Sequence, residues 1–323
     1  MSAETAFRAD ASEIKLRVEK KVRVSNGVTT LTLVRPDGKR LPDWTPGSHI
    51  DLVLPDGTTR QYSLCGDRWD PHRYRIGVLR ERDGRGGSAF ICDTLPEGAM
   101  VGLGGPRNNF RLVPSEKYLF IAGGIGITPM LPMVQQAEML DAEWQLVYIG
   151  HNRHSMAFLD ELERYGDRVS VLPKDECGRF LLSSWIREGR DDTKVYMCGP
   201  ASLLDEAHDR CGSWPTGLLR VEHFVPKEQG APVRDDPFEV ELAQSGLSVT
   251  VAPEVSIVDA LKSAGINLLT SCKQGTCGTC EVAVLAGEPD HRDSILDDDE
   301  RACGDRMFPC VSRSCSDRLI FDL

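Results

Sequence analysis

Four cysteines carry the most specific chemical signal in the chain. Cys272, Cys277 and Cys280 lie in the run SCKQGTCGTC, and Cys310 follows in MFPCVS. The spacing C-x4-C-x2-C with a distant fourth cysteine is the ligand pattern of plant-type [2Fe–2S] centres. Gly275 and Gly278 let such a loop wrap tightly, so that backbone N–H groups can aim at the sulfurs. Those hydrogen bonds, with solvent exposure, tune a cluster's reduction potential. A zinc ribbon and unligated thiols are the competing readings. A ribbon wants a second close cysteine pair, which Cys303 and Cys310 do not make. A Rieske centre needs two histidine ligands, and this loop holds none. Cys303 and Cys315 match no ligand position and read as plain thiols, and Asp297–Glu300 reads as a solvated helix start.

A second signal is the turn GGIGITP, Gly123 to Pro129, between the apolar run KYLFIA and a helical pattern. It lacks the full dinucleotide fingerprint, yet the physics is similar. Glycines without Cβ let a cofactor lie against the backbone, and a helix N-terminus favours phosphate. Thr128 is placed to cap that helix, and Pro129 suits its first turn. Later, Cys198-Gly199-Pro200 closes the run VYMCGP, at the strand end where ligands bind in open α/β sheets. An ordinary tight turn remains the alternative at both places.

The third signal is weaker. Arg60-Gln61-Tyr62-Ser63-Leu64 (RQYSL) lies on an alternating strand, and in isolation is simply that. A flavin site wants an aromatic platform, a hydroxyl near the ring and a cation for phosphate, which Tyr62, Ser63 and Arg60 could supply. Downstream, Arg85-Gly86-Gly87-Ser88 offers backbone donors and a hydroxyl to a phosphate.

The elements that must hold these groups fall into three textures. Up to about residue 113 the chain reads as short strands, Ile14–Val24, Thr29–Val34, Ser48–Leu54, Arg60–Leu64 and Arg73–Leu79, with Gly, Pro, Asn and Asp between them. That pattern predicts a small antiparallel barrel. From 114 to 226, apolar strands (Lys117–Ala122, Gln145–Ile149, Arg168–Leu172, Val195–Met197, Leu218–Glu222) alternate with amphipathic stretches (Pro129–Leu140, Ala157–Tyr165, Ala201–Cys211). Alternating strand and helix predicts βαβ units and an open parallel sheet. Lys227–Pro237 reads as a polar linker that lets the next domain swing. In 238–323, a hairpin of Phe238–Leu242 and Leu247–Val251 and a helix Ile257–Ala264 precede the cysteine loop.

Of the 323 residues, 41% are hydrophobic and 27% charged, a globular composition with material for two or three domains. The net charge of −11 argues against nucleic acid or an anionic membrane surface as partner. Residues 231–323 hold 17 acidic against 8 basic residues, while the first 230 are nearly balanced at 32 against 30. An acidic C-terminal segment points to docking on a basic partner, or merely to a soluble face. Residues 1–15 are charged from Glu4 onward without an apolar stretch, so no signal peptide is expected. The uncharged run Tyr118–Ala137 is broken by glycines and prolines, which predicts strand–turn–helix rather than a membrane span. A cytoplasmic location is the expectation, with the eleven cysteines reduced.

The order RQYSL, GGS, GGIGITP, CGP, then C-x4-C-x2-C…C closely resembles the phthalate dioxygenase reductase family, which includes the vanillate demethylase reductases and the reductase portions of self-sufficient cytochromes P450. The resemblance covers nearly all of the chain after the first dozen residues. It implies an FMN-binding β-barrel domain (1–113), a Rossmann-like NAD(P)H-binding domain (114–226) and, after the linker 227–237, a plant-type ferredoxin domain of β-grasp fold (238–323). By the resemblance Arg60 contacts the FMN phosphate, Tyr62 packs on the isoalloxazine and Ser63 bonds near N5, with Gln61 and Leu64 completing the motif. Arg85, Gly86, Gly87 and Ser88 complete the phosphate site. Gly123, Gly124, Gly126, Thr128 and Pro129 hold the pyrophosphate of NADH or NADPH, and Cys198, Gly199 and Pro200 lie near the nicotinamide. Phe224, in Glu222-His223-Phe224, covers the flavin. Ser63, Cys198 and Phe224 are thus the implied catalytic residues, and Cys272, Cys277, Cys280 and Cys310 the iron ligands. After the second parallel strand, Gly150-His151-Asn152-Arg153-His154 offers no acidic residue to a ribose hydroxyl, and Arg153 could accept a 2′-phosphate.

The implied activity is electron transfer from NAD(P)H through FMN and the cluster to a terminal oxygenase, with a Rieske oxygenase as the expected acceptor. Hydride brings two electrons and an iron–sulfur cluster takes one, so a flavin between them does the splitting. A separate cytochrome P450 or another metalloprotein is the alternative acceptor, and a flavin- or zinc-binding regulatory module the alternative class. Docking one partner at a time points to a monomer.

Overall fold

The computed structural model describes residues 14–82, 84–186, 193–227 and 229–323, and these divide between two compact units, one ending at Phe224 and one beginning at Val225.

The first unit opens with a six-stranded antiparallel sheet. Its strands are β1 (Ile14–Ser25), β2 (Val28–Val34), β3 (His49–Val53), β4 (Thr59–Ser63), β5 (Arg73–Leu79) and β6 (Met100–Arg107), in the order β4-β3-β6-β1-β2-β5. A bridge from Leu64 to Ile76 and the bond Cys65 N–H to Arg75 O (2.9 Å) join the two edge strands, so the sheet closes into the expected barrel. Closure removes the exposed edges. Inward residues such as Leu16, Leu31, Ile50, Leu52, Ile76 and Val78 are fully buried, as period-two alternation requires. Sequence patterning missed β6, whose run MVGLGGPR holds three glycines and a proline and too little alternation to read.

The parallel sheet follows in the same unit. β7 (Lys117–Gly123), β8 (Glu143–Gly150), β9 (Val169–Pro173), β10 (Thr193–Cys198) and β11 (Leu219–Glu222) run in the order β11-β10-β7-β8-β9. The chain goes from β7 to one side and returns to the other, so the switch point lies between the carboxyl ends of β7 and β10. Tyr118 through Gly123 is buried along its length, which explains why it reads as one apolar run. The helix Ile127–Met139 completes the strand–turn–helix, and no helix among the described residues is long and apolar enough to cross a membrane. The predicted helix Ala157–Tyr165 is instead broken. Phe158 adopts φ 64°, a helix covers only Leu159–Leu162, and Gly166 (φ 56°) interrupts the 3-10 turns that follow.

The second unit is a mixed sheet: β12 (Phe238–Leu242), β13 (Leu247–Val251), β14 (Val282–Ala286), β16 (Arg306–Met307) and β18 (Arg318–Phe321), in the order β13-β12-β18-β14-β16, with β15 (Pro289–Asp290) pairing with β17 (Arg313–Ser314). The helix Ile257–Ser263, capped by Ser256, which accepts from Asp259 N–H (3.1 Å), packs its Ile257, Ala260 and Leu261 with the sheet's buried side chains. Asp297 and Glu300 form a capping box that opens the helix Asp298–Cys303, the solvated helix start expected of that acidic run.

The segment 227–237 is not a free linker. Lys227 N–H donates to Ser294 Oγ (2.9 Å), Gln229 Nε2 to Arg292 O (3.2 Å), Arg292 Nη2 to Gly230 O (2.5 Å) and Val233 N–H to Asp290 Oδ2 (3.2 Å), while Arg234 pairs with Asp317. Polarity alone predicted a swinging tether. Backbone groups that find partners on a neighbouring loop make it a strap instead.

Candidate functional site

Three sites assemble from these elements. In the barrel, β4 carries the RQYSL motif, and alternation sends Arg60 and Tyr62 to one face, Gln61 and Ser63 to the other. Arg60 Nη2 donates to Arg85 O (3.1 Å), and its guanidinium lies against Gly87, where a Cβ would sit 2.6 Å from Arg60 Nε. The two motifs, 25 residues apart, therefore form one cradle, in which a side chain at Gly87 would displace the Arg60 guanidinium. Gly86 takes φ 83° and opens the helical segment that runs on to Thr94, its backbone free of any Cβ clash. Ser88 Oγ accepts from Glu81 N–H (3.1 Å) and keeps its own proton to donate. Tyr62 packs on the barrel core, and burial pushes its phenol above the ordinary range.

Ser63 is 4% exposed and its hydroxyl has no protein partner. A buried unpaired hydroxyl costs about 1–3 kcal/mol, so this one wants a ligand atom. Together with the glycine cradle and the cation, it fits a bound flavin phosphate and ring. Gln61 donates to Asp51 (2.9 Å), which Arg107 also holds, and Leu64 is fully buried.

At the parallel sheet the glycine turn and the CGP turn meet at the switch point. A Cβ on Gly126 would lie 2.2 Å from Cys198 O, and one on Gly123 would lie 2.6 Å from Pro200 Cδ and 3.2 Å from Gly199 Cα. These glycines are required by the approach of the two turns. Gly124, at φ 56° with open space around it, is the one that leaves room for a ligand. Thr128 does not cap the helix. Gly126 holds that position, while Thr128 is buried and donates to Ile125 O (2.9 Å). Pro129 falls in the first turn, as its fixed φ favours.

Cys198 is fully buried, and its register partner on β11 is Glu222, whose Oε2 lies 4.0 Å from the thiol sulfur. Burial raises the Glu222 carboxyl to about 8 and pushes the Cys198 thiol well up. A carboxyl raised in this way at the carboxyl end of the sheet is a functional group that spacing did not single out. Its signal was the Glu-x-aromatic run ending in Phe224, which is 41% exposed. Arg153 Nε forks onto both carboxylate oxygens of Glu176 (2.9 and 3.1 Å), from the turn after β9. An acidic residue thus reaches this place from the helical turn Lys174–Cys177 that follows β9. A separate cavity of 370 Å³, lined by Trp144, Trp185 and Trp214 among others, touches the amino ends of β7, β8 and β10, away from both turns.

Barrel and nucleotide domain are bound tightly. Arg75 pairs bidentately with Glu161 (2.6 and 2.8 Å) and lies over Phe158, and Asn26 N–H donates to His154 O (2.7 Å).

In the second unit the four cysteine thiols converge. The Cys272 thiol interacts with those of Cys277 and Cys310, and the Cys310 thiol also with that of Cys280. Sharing protons this way lowers Cys272 and Cys280 and raises Cys277 and Cys310. Gln274 N–H donates to Cys272 Sγ (3.2 Å) and Thr279 N–H to Cys277 Sγ (3.5 Å), the backbone donors the glycine-rich loop was expected to present. Gly275 takes φ 70°, and a Cβ there would strike Val311 at 2.6 Å. Four soft thiolates in one loop-lined pocket, with N–H donors on the sulfurs, fit a [2Fe–2S] cluster. Among the described residues no group of three or more His, Cys, Asp or Glu, the four cysteines included, stands close enough as placed to hold a metal ion, so the fit rests on the cysteine spacing and the N–H donors.

Comparison with known proteins agrees with this geometry. Residues 240–315 match the 2Fe-2S iron-sulfur cluster binding domain. The phenoxybenzoate dioxygenase subunit beta of Ectopseudomonas oleovorans is 41% identical over 317 residues, covering 98% of this chain and 99% of its own. The solved structure of phthalate dioxygenase reductase, described as modular for electron transfer from pyridine nucleotides to [2Fe–2S], is 35% identical with a TM-score of 0.69, covering 96% of this chain and 98% of its own. An intact type IV self-sufficient cytochrome P450 monooxygenase is 41% identical over 96% of this chain, with a TM-score of 0.90, and this chain spans 41% of its length.

A barrel with a flavin cradle, a parallel sheet with a nucleotide switch point and a cysteine-lined ferredoxin unit define an NAD(P)H-dependent flavin and iron–sulfur oxidoreductase. The chain belongs to the phthalate dioxygenase reductase family. Its cofactors are FMN, a [2Fe–2S] cluster and NAD(P)H.

Proposed function

We propose that this chain is the reductase of a Rieske-type oxygenase, an aromatic-ring dioxygenase or an O-demethylase, and that it works as a cytoplasmic monomer. The observation that carries this reading is the four-cysteine pocket in a chain 41% identical end to end with a dioxygenase subunit. FMN supplies the change from paired to single electrons. The protein's part is to hold and orient. Arg60 and the backbone of Gly86 to Ser88 hold the phosphate, Tyr62 supports the ring, and Ser63 donates near its reactive nitrogen. The space at Gly124 takes the pyrophosphate, with Cys198 and Glu222 bordering the nicotinamide. Phe224 offers an exposed aromatic face to the ring. Cys272, Cys277, Cys280 and Cys310 hold the iron.

The Arg153–Glu176 pair favours NADH. Glu176 can accept from a ribose 2′-hydroxyl, and it occupies the cation that a 2′-phosphate would use. The acidic C-terminal unit docks on a basic patch of the oxygenase. Reconstitution with Rieske oxygenases tests the reading: turnover that weakens steeply with salt supports it, and salt-independent turnover contradicts the docking. A cytochrome P450 acceptor is the second reading, favoured by the likeness to the self-sufficient P450. Assay against a separate P450 distinguishes the two.

A further inference from the structure

Within the second unit, the loop 291–296 touches the cysteine set at two places. Ser294 N–H donates to Gly275 O (2.9 Å), between Cys272 and Cys277, and a Cβ on Gly275 would lie 3.0 Å from Asp293 Cα. Ile295 and Leu296 pack in one apolar cluster with Cys280, Phe308 and Cys310. A single side chain from outside the loop holds it. Arg301, on the helix Asp298–Cys303, donates through Nε to Leu296 O (3.0 Å), through Nη1 to His291 O (3.3 Å) and through Nη2 to Asp293 O (2.7 Å). Asp293 turns the loop from within: its buried Oδ1 accepts from the N–H groups of Ile295 and Leu296 (2.8 Å each).

We propose that Arg301 is a positioning residue for the iron–sulfur centre: it clamps 291–296 as a wall against the cysteine loop and so limits the water that reaches the cluster. The proposal rests on Cys272, Cys277, Cys280 and Cys310 holding that cluster. A guanidinium suits the task because its planar fork carries five donors and spans three carbonyls at once, whereas an ammonium is a point charge. Bonds from an ionised donor are also stronger than neutral ones. Losing the equivalent of one such bond makes local opening of the loop about tenfold more frequent. Reduction adds a negative charge to the cluster, and solvent exposure is one of the levers on its potential. Water admitted by an open wall therefore favours the reduced form and raises the potential, while removing the Arg301 cation acts in the opposite direction.

The test uses the full iron-loaded protein with Arg301→Lys, Arg301→Ala and, as a control, Arg306→Ala, whose cation pairs with Glu300. Amide hydrogen exchange over 291–296 reports the loop without reference to electron flow. Both Arg301 variants lose about tenfold in protection there, with the sheet strands β12 and β18 protected as in the parent, and Arg306→Ala leaves the loop unchanged. Iron release to a chelator quickens by about the same factor in both Arg301 variants. The cluster potential rises in Arg301→Lys, which keeps the charge, and lies lower in Arg301→Ala than in Arg301→Lys. Arg301→Lys that equals the parent in all three readouts leaves only a charge effect and overturns the clamp. Lost loop protection with iron release and potential unchanged overturns the wall. Protection lost equally across the sheet makes Arg301 a prop of the whole unit and overturns the positioning role. Each of these results leaves the cysteine assignment intact, whereas a parent that takes up no iron on reconstitution overturns the assignment and the proposal together.

Discussion

Gly77, on barrel strand β5, and Thr128, on the nucleotide domain's first helix, meet with no space between them: a Cβ on Gly77 would sit 2.8 Å from Thr128 Cγ2 and 3.4 Å from the Phe158 ring. Thr128 is one turn from the glycines of the nucleotide site, and β5 is bridged to the end of the strand that carries Arg60, Tyr62 and Ser63. Hydride transfer needs near-attack geometry, so this seam is where the two sites are registered. Gly77→Val forces the seam apart. We expect a stability loss of about 1–3 kcal/mol from overpacking, and flavin reduction by NADH that slows well beyond the effect on flavin affinity. Stopped-flow reduction beside equilibrium unfolding checks both.

Ser63→Ala separates ligand binding from folding. The hydroxyl is buried and unpaired in the protein, so its removal leaves the flavin-free protein as stable as before or slightly more so. Flavin reduction slows about ten- to a hundredfold, the cost of one hydrogen bond of roughly 1.5–3 kcal/mol. Thermal unfolding of the flavin-free form and rapid-reaction kinetics of the loaded form measure the two effects.

Glu222 gives a pH dependence of stated sign. Its folded value, about 8, lies above the ordinary 4.5, so the folded state binds the extra proton. The stabilisation is full below about pH 4.5 and is lost as pH rises through about 8, on the order of a few kcal/mol in total. Glu222→Gln mimics the protonated carboxyl and flattens the decline. Unfolding midpoints from pH 5 to 9 should converge at the acid end and separate at the alkaline end, with the variant the more stable.

Glu176→Ala frees Arg153 for a 2′-phosphate. Both side chains are about half exposed, so the pair itself contributes little to stability. The ratio of kcat/KM for NADPH over NADH should rise roughly tenfold, equivalent to about 1.4 kcal/mol, with unfolding unchanged. Arg153→Ala in the same background should abolish the gain.

What was legible in the sequence was local in the chain. The cysteine loop, its glycines and the Asp297–Glu300 cap are each set by spacing over ten residues or fewer, and the structure keeps them. The alternating strands and the apolar run at β7 were legible for the same reason. The rest depends on residues far apart. Glu222 meets Cys198 only through the β10–β11 register, Glu176 reaches Arg153 from the helical turn after β9, and Gly77 matters only because the nucleotide helix lies on it. Thr128 misled because capping preference is local, whereas the close approach of Gly126 to Cys198 sets where the helix starts. The strap was illegible because a polar segment looks alike whether its partners are water or a neighbouring loop.

Anaerobic titration of the whole chain with NADH, followed by visible absorbance, tests the central claim most directly. The account predicts that flavin and iron–sulfur bands bleach together, and that with Cys272→Ser the flavin still bleaches but delivery to the oxygenase stops. Iron–sulfur bands that stay oxidised beside a reduced flavin, or delivery that survives the loss of Cys272, would contradict it.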